Sequence, residues 1–375
     1  MKKLKRLYIG EVLRNLQKLP SSSVQCVVTS PPYYQLREYP IPSSYWPSVE
    51  YIPMHGLEPI QIPPQLCQLG MEQRELDFIG HMVLIFREVR RVLHDNGVCF
   101  VNLSDGYSSG KNGRDDRKGF YERTHGYAGK VVDHCAAIKR SSLPPKNLMG
   151  IPWRVALALQ ADGWYLRQDI IWAKPNPMPE SCSDRCTKAH EYIFMLSKQR
   201  KYKWNKNAIA TERKTDNDCS SFRGGSYAAG NLSSYNVPNG WDTEKRSHGS
   251  IHKEGRGNSR KKVPASGKAN RRSVWTFSTE AFHQAHYATF PRELPRLCIL
   301  ASTDLGDTVL DIFNGSGTTC QMADELGREW IGIDRDLRSI RWTRKRIYEK
   351  HAREKGPEAI PITQGQLALY KRDAD

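Results

Sequence analysis

The sequence has no long hydrophobic run. None of its apolar stretches approaches the roughly 20 residues that a membrane-spanning helix needs, and the start Met1-Lys2-Lys3 lacks the apolar core of a signal peptide. Hydrophobic residues make up 38% of the 375 residues, and the mean hydropathy is −0.64. These absences exclude a membrane protein and predict a cytoplasmic one.

The cysteines do not follow the regular spacing of a disulfide-bonded framework. There are nine, an odd number scattered along the chain, so we expect reduced thiols rather than a set of disulfides. Cys182, Cys186 and His190 recur every four residues and would share one face of a helix. A fourth ligand is not obvious, and Pro179 makes a regular helix start unfavourable, so no metal site is predicted.

Acidic residues are outnumbered. The 57 Lys and Arg against 40 Asp and Glu give a net charge of +17, which predicts a polyanionic partner because basic surfaces release counterions from nucleic acid. A merely basic protein and one attracted to anionic membranes are the alternatives. Residues 201–272 alone hold sixteen Lys or Arg and six Asp or Glu, interleaved with isolated aromatics. This segment favours nucleic-acid contact, with a solvated linker as the alternative for 258–272.

A glycine-containing loop stands near the C-terminus, at 311–319. An apolar run precedes it and a periodic segment follows, which predicts a strand, a tight turn and a helix. Gly315 and Gly317 would let the backbone approach a ligand, and Asp334, at the end of the next predicted strand, would accept hydrogen bonds from ribose hydroxyls. The third glycine of a dinucleotide motif is missing, since Cys320 stands after Thr319. The spacing predicts an adenosine-like ligand; an ordinary strand-to-helix turn is the alternative.

A second stretch near the N-terminus reads Thr29-Ser30-Pro31-Pro32-Tyr33-Tyr34 and follows the apolar strand predicted at 24–28. Two prolines remove two amide donors, which leaves the carbonyls of Ser30 and Pro31 free to accept hydrogen bonds. Tyr33 places an aromatic ring beside these acceptors. The combination suits a flipped base, with its amine on the acceptors and its face on the ring. A ligand for a proline-binding module is the alternative, but its place directly after a strand argues against that.

Strands alternate with helices along the rest of the chain, which predicts a mainly parallel sheet covered on both faces. Residues 38–70 and 106–146 have no apolar period and are predicted to be long loops. The predicted helices are 78–93, 151–161 and 292–301, and the predicted strands are 98–103, 165–172 and 191–196. After the basic segment, ordered structure is predicted to resume at 274–277.

The two stretches together resemble the DNA methyltransferases that modify exocyclic amino groups, with N4-cytosine and N6-adenine members. The amine-site stretch comes first and the cofactor stretch last, which is similar to the permuted β class of that family. Supporting matches lie at 87–93, 163–177, 189–192 and 286–291. The resemblance covers most of the chain except about 201–272, where such enzymes carry a variable target-recognition region.

The resemblance implies an α/β fold, the Rossmann-like S-adenosylmethionine-dependent methyltransferase fold, with a mostly parallel seven-stranded sheet, helices on both faces and an inserted target-recognition region. The implied domains are the catalytic half 1–200, the basic target-recognition insertion 201–273, the cofactor-binding half 274–350 and the tail 351–375. S-adenosylmethionine is the implied cofactor, and double-stranded DNA is the implied partner of a cytoplasmic, nucleoid-associated monomer or dimer. A cognate restriction endonuclease is a further partner that such enzymes can have.

Site residues carry over by matching positions. The residues implied to hold the target base are Ser30, Pro31, Pro32 and Tyr33. The residues implied to bind the cofactor are Glu11, Phe290, Pro291, Asp311, Phe313, Gly315, Gly317, Thr318 and Asp334. Asp334 would take the ribose, and Phe290 with Pro291 would lie near the methionine end. The sequence departs from the family at Ile312, where proline is usual, and at Glu11, where aspartate is commoner.

Direct transfer is the implied mechanism. Hydrogen bonds from the amine to Ser30 and the Pro31 carbonyl would free a nitrogen lone pair for in-line attack on the methyl group. The sequence has no Pro-Cys pair, the nucleophile motif of carbon-5 cytosine enzymes. Serine before Pro-Pro-Tyr is similar to the N4-cytosine subgroup, whereas adenine enzymes more often have Asp or Asn there. Cytosine N4 is therefore predicted, with adenine N6 as the alternative; an RNA or protein methyltransferase and a non-catalytic DNA-binding protein are further alternatives.

Overall fold

An eight-stranded sheet forms the centre of the unit built from residues 1–205 and 272–375. The computed structural model describes residues 5–108, 143–177, 179–212, 268–280 and 291–355. The strands of the sheet are β1 (Lys5–Ile9), β2 (Val24–Thr29), β7 (Leu93–Leu103), β8 (Tyr165–Ala173), β9 (His190–Ser197), β12 (Val274–Thr276), β13 (Thr308–Asp311) and β14 (Glu329–Asp334). The helices are α1 (Val12–Leu16), α2 (Glu75–Val92), α3 (Ile151–Ala161), α4 (Glu293–Ser302), α5 (Thr318–Glu325) and α6 (Leu337–Lys355).

The sheet order is β1-β14-β13-β2-β7-β9-β8-β12. All neighbouring pairs are parallel except the two that involve β9, which runs antiparallel to both β7 and β8. The predicted α/β class with a mostly parallel sheet is confirmed. The short strand β12, paired with β8, adds an eighth strand to the seven that were predicted.

Side chains of the central strands alternate between two buried layers. In β7, Cys99 and Val101 join the hydrophobic cluster that contains α1, α2 and α3, while Val98 and Phe100 are buried outside that cluster. On that second side, α4 contacts β2 and β7, and α5 contacts α4 and α6. Burial on both faces explains why these strands are continuously apolar in sequence.

Helix α2 carries the largest part of the core. Its apolar positions recur with the helical period and are buried, and its polar ends suit the helix dipole, with Glu75 and Asp77 in the first turn and Arg90 and Arg91 in the last. The helix ends at Val92 because the next residue is already extended and begins β7.

Some predicted elements differ from the structure. Helix α2 begins at Glu75 rather than at residue 78, and β7 begins at Leu93 rather than at residue 98, because Leu93 already pairs with Val24. The prediction that 38–70 forms one long loop is wrong. Four three-residue strands lie there, too short for their alternation to be recognised in the sequence: β3 (Ser44–Trp46), β4 (Val49–Tyr51), β5 (Ile60–Ile62) and β6 (Gln65–Cys67). They pair as β3 with β6 and β4 with β5, both antiparallel.

The second unit comprises residues 206–271. Its described strands are β10 (Thr211–Glu212) and β11 (Lys268–Ala269), which pair antiparallel. Most of the basic segment, and most of the loop predicted at 106–146, lie outside the described residues. Among the helices that the structure describes, none combines the length and apolar character needed to cross a bilayer.

The burial of Phe86 in the core predicts a large loss of stability when its ring is removed. This side chain on α2 is fully buried and meets the edge of Trp164, with ring centroids 6.4 Å apart. Phe86→Ala removes a large buried ring and leaves a cavity, so the free energy of unfolding should fall by about 3–5 kcal/mol. Urea unfolding followed by circular dichroism measures this. Leu305→Ala is the control, since Leu305 is 78% exposed and should change stability by less than about 0.5 kcal/mol.

Candidate active site

The site lies at one edge of the sheet. The parallel strands β1, β2, β7, β8, β13 and β14 all end at this edge, which is where open α/β sheets bind their ligands. Both sequence stretches follow such strand ends, since β2 runs into Ser30 and β13 ends at Asp311. Because β13 and β2 are adjacent in the sheet, the two stretches become neighbours despite their separation in sequence.

A buried hydrogen bond connects the two stretches directly. The Thr29 hydroxyl donates to Asp311 Oδ1 at 2.8 Å, and the Phe313 amide donates to the same oxygen at 3.1 Å. Burial raises the pKa of Asp311 to about 6. Asp311 therefore fixes the start of the glycine-containing turn to the strand that carries the Ser-Pro-Pro-Tyr stretch.

Asp334 closes the turn from the other side. Its Oδ2 accepts the Gly315 amide at 2.7 Å and its Oδ1 accepts the Asp336 amide at 2.8 Å. Burial raises the pKa of Asp334 to about 6, against the lowering effect of these two hydrogen bonds. Each carboxylate oxygen keeps a further lone pair for a hydroxyl donor. The residue is thus held in place with acceptor capacity left for a ligand.

The two glycines of the turn have different roles. Gly315 has a positive φ of 49°, and a Cβ there would meet only the Phe313 carbonyl at 3.9 Å, so there is open space beside its backbone. Contact between Gly315 and a cofactor stays a prediction. A Cβ on Gly317, whose φ is 81°, would lie 2.3 Å from Thr343 Oγ1 on α6. Gly317 therefore serves close packing between the turn and α6. This differs from the prediction that it faces the ligand, because sequence does not show which side of a turn a helix covers.

The Ser-Pro-Pro-Tyr stretch is held by polar contacts. The Tyr33 hydroxyl donates to Glu191 Oε2 at 2.6 Å, and Asn102 Nδ2 donates to the Tyr33 oxygen at 2.5 Å. The Ser30 hydroxyl lies 3.4 Å from that oxygen. Burial, followed by the negative charge of Glu191, raises the pKa of Tyr33 well above its ordinary value. The phenol therefore stays protonated at neutral pH and donates a hydrogen bond to Glu191.

The loop around Gly70 packs against the end of the Ser-Pro-Pro-Tyr stretch and the residues that follow it. Gln35 has a φ of 49°, an unusual value for a residue with a side chain. Its amide donates to the Gly70 carbonyl at 2.6 Å, and a Cβ on Gly70 would come within 3.0 Å of the Tyr33 carbonyl. Glycine at position 70 is required for this close approach.

A pocket of about 260 Å³ runs between the two stretches. The predicted site residues that line it are Glu11, Ser30, Pro31, Pro32, Tyr33, Phe313, Gly315, Thr318 and Asp334. Three predicted residues, Asp311, Gly317 and Pro291, are described but are not among those that line it. Phe290 lies outside the described residues.

The other residues that line the pocket include four to which the sequence analysis gave no role: Asn102, Trp172, Lys174 and Glu191. They come from β7, from the end of β8 and from the start of β9. The antiparallel direction of β9 brings Glu191 to the edge where the parallel strands end. In the sequence, Trp172, Lys174 and Glu191 lie within the stretches 163–177 and 189–192 that match the family, and Asn102 lies near the end of the predicted strand 98–103, but none of these signals assigned them a role.

The residues considered for a metal do not come together. Within the described ranges, Cys182, Cys186 and His190 form no cluster that could hold an ion, whereas Cys67, Glu72 and His81 lie close together. Glu72 is already engaged, since it accepts the Gly70 amide at 2.8 Å and lies 2.9 Å from His81 Nδ1. All seven described cysteines are free thiols.

Comparison with known proteins gives consistent matches. A family model described as DNA methylase, of the N6/N4 type, matches residues 24–345. The type II methyltransferase M.Cfr9I of Citrobacter freundii is 37% identical over 333 residues, which cover 88% of this chain and 82% of that protein. M.SmaI of Serratia marcescens is 34% identical over 345 residues, covering 92% and 91%.

A solved structure has the same fold. The PvuII DNA methyltransferase, whose description reads cytosine-N4-specific, superposes with a TM-score of 0.53 over 98% of this chain and 92% of that one. Its sequence identity is 17%, so the likeness concerns the fold.

The packing of Gly317 against Thr343 predicts how much stability Gly317→Ala should lose, and Gly306→Ala is the matched control. Gly317→Ala should destabilise the protein by about 2–4 kcal/mol, because a left-handed backbone conformation and a clash with Thr343 add together. Gly306 has the same φ of 81° with nothing within 4 Å of a Cβ. Gly306→Ala should therefore cost only the backbone term of about 1–2 kcal/mol. Denaturant unfolding of both variants tests this; equal losses would contradict a packing role for Gly317.

Proposed function

The chain belongs to the N6/N4 DNA methylase family, and from that premise we propose that it methylates the N4 amine of cytosine in double-stranded DNA. It is a DNA methyltransferase, and S-adenosylmethionine is its methyl donor. The choice of cytosine, the roles of individual residues and the flipping of the base are the proposal.

The observation that carries the proposal is the shared pocket. The turn around Gly315 and the Ser-Pro-Pro-Tyr stretch line one continuous space, so a methyl donor and an acceptor amine can meet without an intermediate carrier. No cysteine is among the described residues that line this space. A covalent thiol intermediate is therefore not part of the proposal, and direct in-line transfer is.

The chain offers suitable groups for the cofactor. Asp334 would accept the ribose hydroxyls, Gly315 leaves room beside its backbone, and Phe313 presents an aromatic ring in the same wall. Glu11 is paired with Arg335 at 2.9 Å, and both line the pocket, so they would hold polar groups of the cofactor together. When bound, S-adenosylmethionine supplies an electrophilic methyl group on a sulfonium.

Four further predicted positions would act at the cofactor or at the turn beside it. Thr318 begins α5 and lines the pocket, so it would contact the cofactor from the helix start. Pro291, buried just before α4, would act with Phe290 near the methionine end. Asp311 would act indirectly, since its carboxylate fixes the turn through Thr29 and Phe313.

The opposite wall would hold the target base. The Ser30 hydroxyl and the Pro31 carbonyl would accept the two amine protons, which favours a pyramidal nitrogen with an available lone pair. Pro32 stiffens the backbone that presents these acceptors. Tyr33 would stack on the base face, and that contact would offset part of the few kcal/mol that base flipping costs.

Serine supports cytosine rather than adenine. Position 30 is serine, as in the N4-cytosine subgroup, so its acceptor is a neutral hydroxyl rather than the carboxylate or amide that is more common in adenine enzymes. The basic segment 201–273 would supply phosphate contacts and target recognition, since it carries most of the excess charge. The relatives are named type II methyltransferases, so a companion restriction endonuclease with the same DNA site is part of the proposal.

The experiment that tests the proposal identifies the product. The purified protein is incubated with mixed-sequence duplex DNA and methyl-labelled S-adenosylmethionine, the DNA is digested to nucleosides, and the labelled one is identified by mass spectrometry. We expect N4-methylcytosine. Labelled N6-methyladenine would contradict the base assignment while leaving the fold and the cofactor as stated.

A variant at Tyr33 distinguishes binding of the target base from binding of the cofactor. Tyr33→Ala removes the stacking surface, which is worth about 1–3 kcal/mol, so methylation of DNA should fall about 5- to 150-fold. Cofactor affinity, measured by calorimetry, should stay within about twofold because Tyr33 lies on the base side. Equal loss of cofactor binding and methylation would contradict the assigned role.

Asp334 predicts a pH dependence of cofactor binding. Because its pKa is raised to about 6, the carboxyl is protonated below that pH and loses acceptor capacity for the ribose. Cofactor affinity should therefore rise as the pH increases through about 6 and level off above it. Asp334→Asn should weaken binding about 10- to 150-fold, the worth of hydrogen bonds to a charged group, and flatten the profile.

The stability of the protein without cofactor supplies a control for this profile. A raised carboxyl pKa favours the folded state when the group is protonated, so the contribution of Asp334 to stability is lost as the pH rises through about 6. Binding and stability should thus change in opposite directions. An unchanged binding profile in Asp334→Asn would assign the titration to another group.

A further inference from the structure

Three residues distant in sequence form a hydrogen-bonded group with the Tyr33 hydroxyl, Lys174 through Glu191. Asn102 lies near the end of β7, Lys174 follows β8, and Glu191 is the second residue of β9. All three line the same pocket as Tyr33. The function proposed above gives none of them a role.

Glu191 is the centre of this group. Its Oε2 accepts the Tyr33 hydroxyl at 2.6 Å and Asn102 Nδ2 at 2.7 Å, while its Oε1 accepts Lys174 Nζ. The side chain is 11% exposed and that of Lys174 is 20% exposed. Lys174 is held in turn by Trp172, whose ring centroid is 4.4 Å from Nζ. Both carboxylate oxygens are therefore occupied by fixed donors.

We propose that Glu191, held by Lys174 and Asn102, is a positioning residue that fixes the ring of Tyr33 in the orientation that receives the target base. This inference rests on the proposed function, since it takes Tyr33 as the stacking surface. It does not depend on which exocyclic amine is methylated.

The geometry explains why such a residue is useful. A tyrosine ring turns about two side-chain torsions. A hydrogen bond at its hydroxyl restricts the first torsion by fixing the position of the oxygen, and it restricts the second because the phenolic O–H bond prefers to lie in the plane of the ring. A ring already fixed before DNA binds loses less conformational freedom when the base stacks on it. The hydroxyl stays protonated, because burial and the charge of Glu191 both raise the pKa of Tyr33. The bond from the ring to Glu191 therefore persists across the working pH range.

Stability alone does not account for the ion pair. Desolvation offsets much of the attraction in a poorly exposed pair, so a pair such as Lys174 with Glu191 gives little net stabilisation over apolar side chains of similar size. The Lys174–Glu191 pair lies in the pocket wall, and the other carboxylate oxygen of Glu191, Oε2, accepts the Tyr33 hydroxyl. This arrangement indicates that the pair orients the Tyr33 ring. A positioning role predicts that the effects of Glu191 and of the Tyr33 hydroxyl are not independent.

A double-mutant cycle tests this dependence. Tyr33→Phe keeps the ring and removes the hydroxyl, Glu191→Ala removes the acceptor, and the third variant combines both. Total methyl transfer into DNA is measured at saturating cofactor to give kcat and KM for DNA. We expect each single variant to lower kcat on the order of 10-fold, the lower range for a hydrogen bond to a charged group. The double variant should be no slower than the slower single one.

Two additional variants separate positioning from structural damage. Glu191→Gln retains an acceptor for the Tyr33 hydroxyl and should recover part of the activity lost in Glu191→Ala. Asp162→Ala breaks the Arg87–Asp162 pair, whose shortest contact is 2.6 Å and which lies elsewhere on the protein, and should leave kcat unchanged. Thermal unfolding and cofactor affinity are measured for every variant, and we expect cofactor affinity to stay within about twofold.

Multiplicative losses in the double variant would overturn the inference, because the two groups would then act independently. Full activity in Tyr33→Phe would also overturn it. The labelled nucleoside is identified in parallel, so a failure of the cytosine assignment appears as N6-methyladenine and is distinct from a failure of the cycle. Non-additive losses with either nucleoside labelled would support the positioning role.

Discussion

The hydrogen bond from Thr29 to Asp311 is the contact on which the site depends. It joins the last residue of β2 to the last residue of β13, which are 282 positions apart, at 2.8 Å and away from solvent. The turn that begins at Asp311 and the stretch that begins at Ser30 are thereby held in one register across adjacent strands. Together with the pairing of β13 and β2, this hydrogen bond keeps the two walls of the pocket next to each other.

Buried carboxylates organise the same edge in three different ways. Asp311 fixes the turn to the neighbouring strand, Asp334 holds the turn through the Gly315 amide, and Glu191 holds the aromatic ring of Tyr33. Burial raises the pKa of both aspartates to about 6. Such groups cost free energy to bury unless every oxygen has a partner, so the hydrogen bonds around them also make the edge rigid. A rigid edge keeps methyl donor and acceptor aligned for transfer.

Much of the fold followed from residue patterns. The 3.6-residue period of α2 and the continuous apolar runs of β2 and β7 predicted the central layers, since buried parallel strands are apolar on both faces. The small strands at 44–67 escaped prediction because three residues are too few for an alternation to be distinguished from a loop. The sheet gained β12 for a similar reason, because its pairing with β8 depends on contacts between segments about 100 residues apart.

By itself the sequence determined the two chemical stretches and the order in which they occur, because glycine, proline and aromatic residues act locally on the backbone. The resemblance of these stretches to a known family then selected nine of the residues that line the pocket. Only the tertiary structure decided that Gly317 packs against Thr343 and that Glu191 reaches the Tyr33 hydroxyl. Both depend on which elements lie side by side, and the antiparallel direction of β9 sets the second. Local patterns do not encode such long-range neighbours, because contacts between distant segments are fixed by packing of the whole sheet.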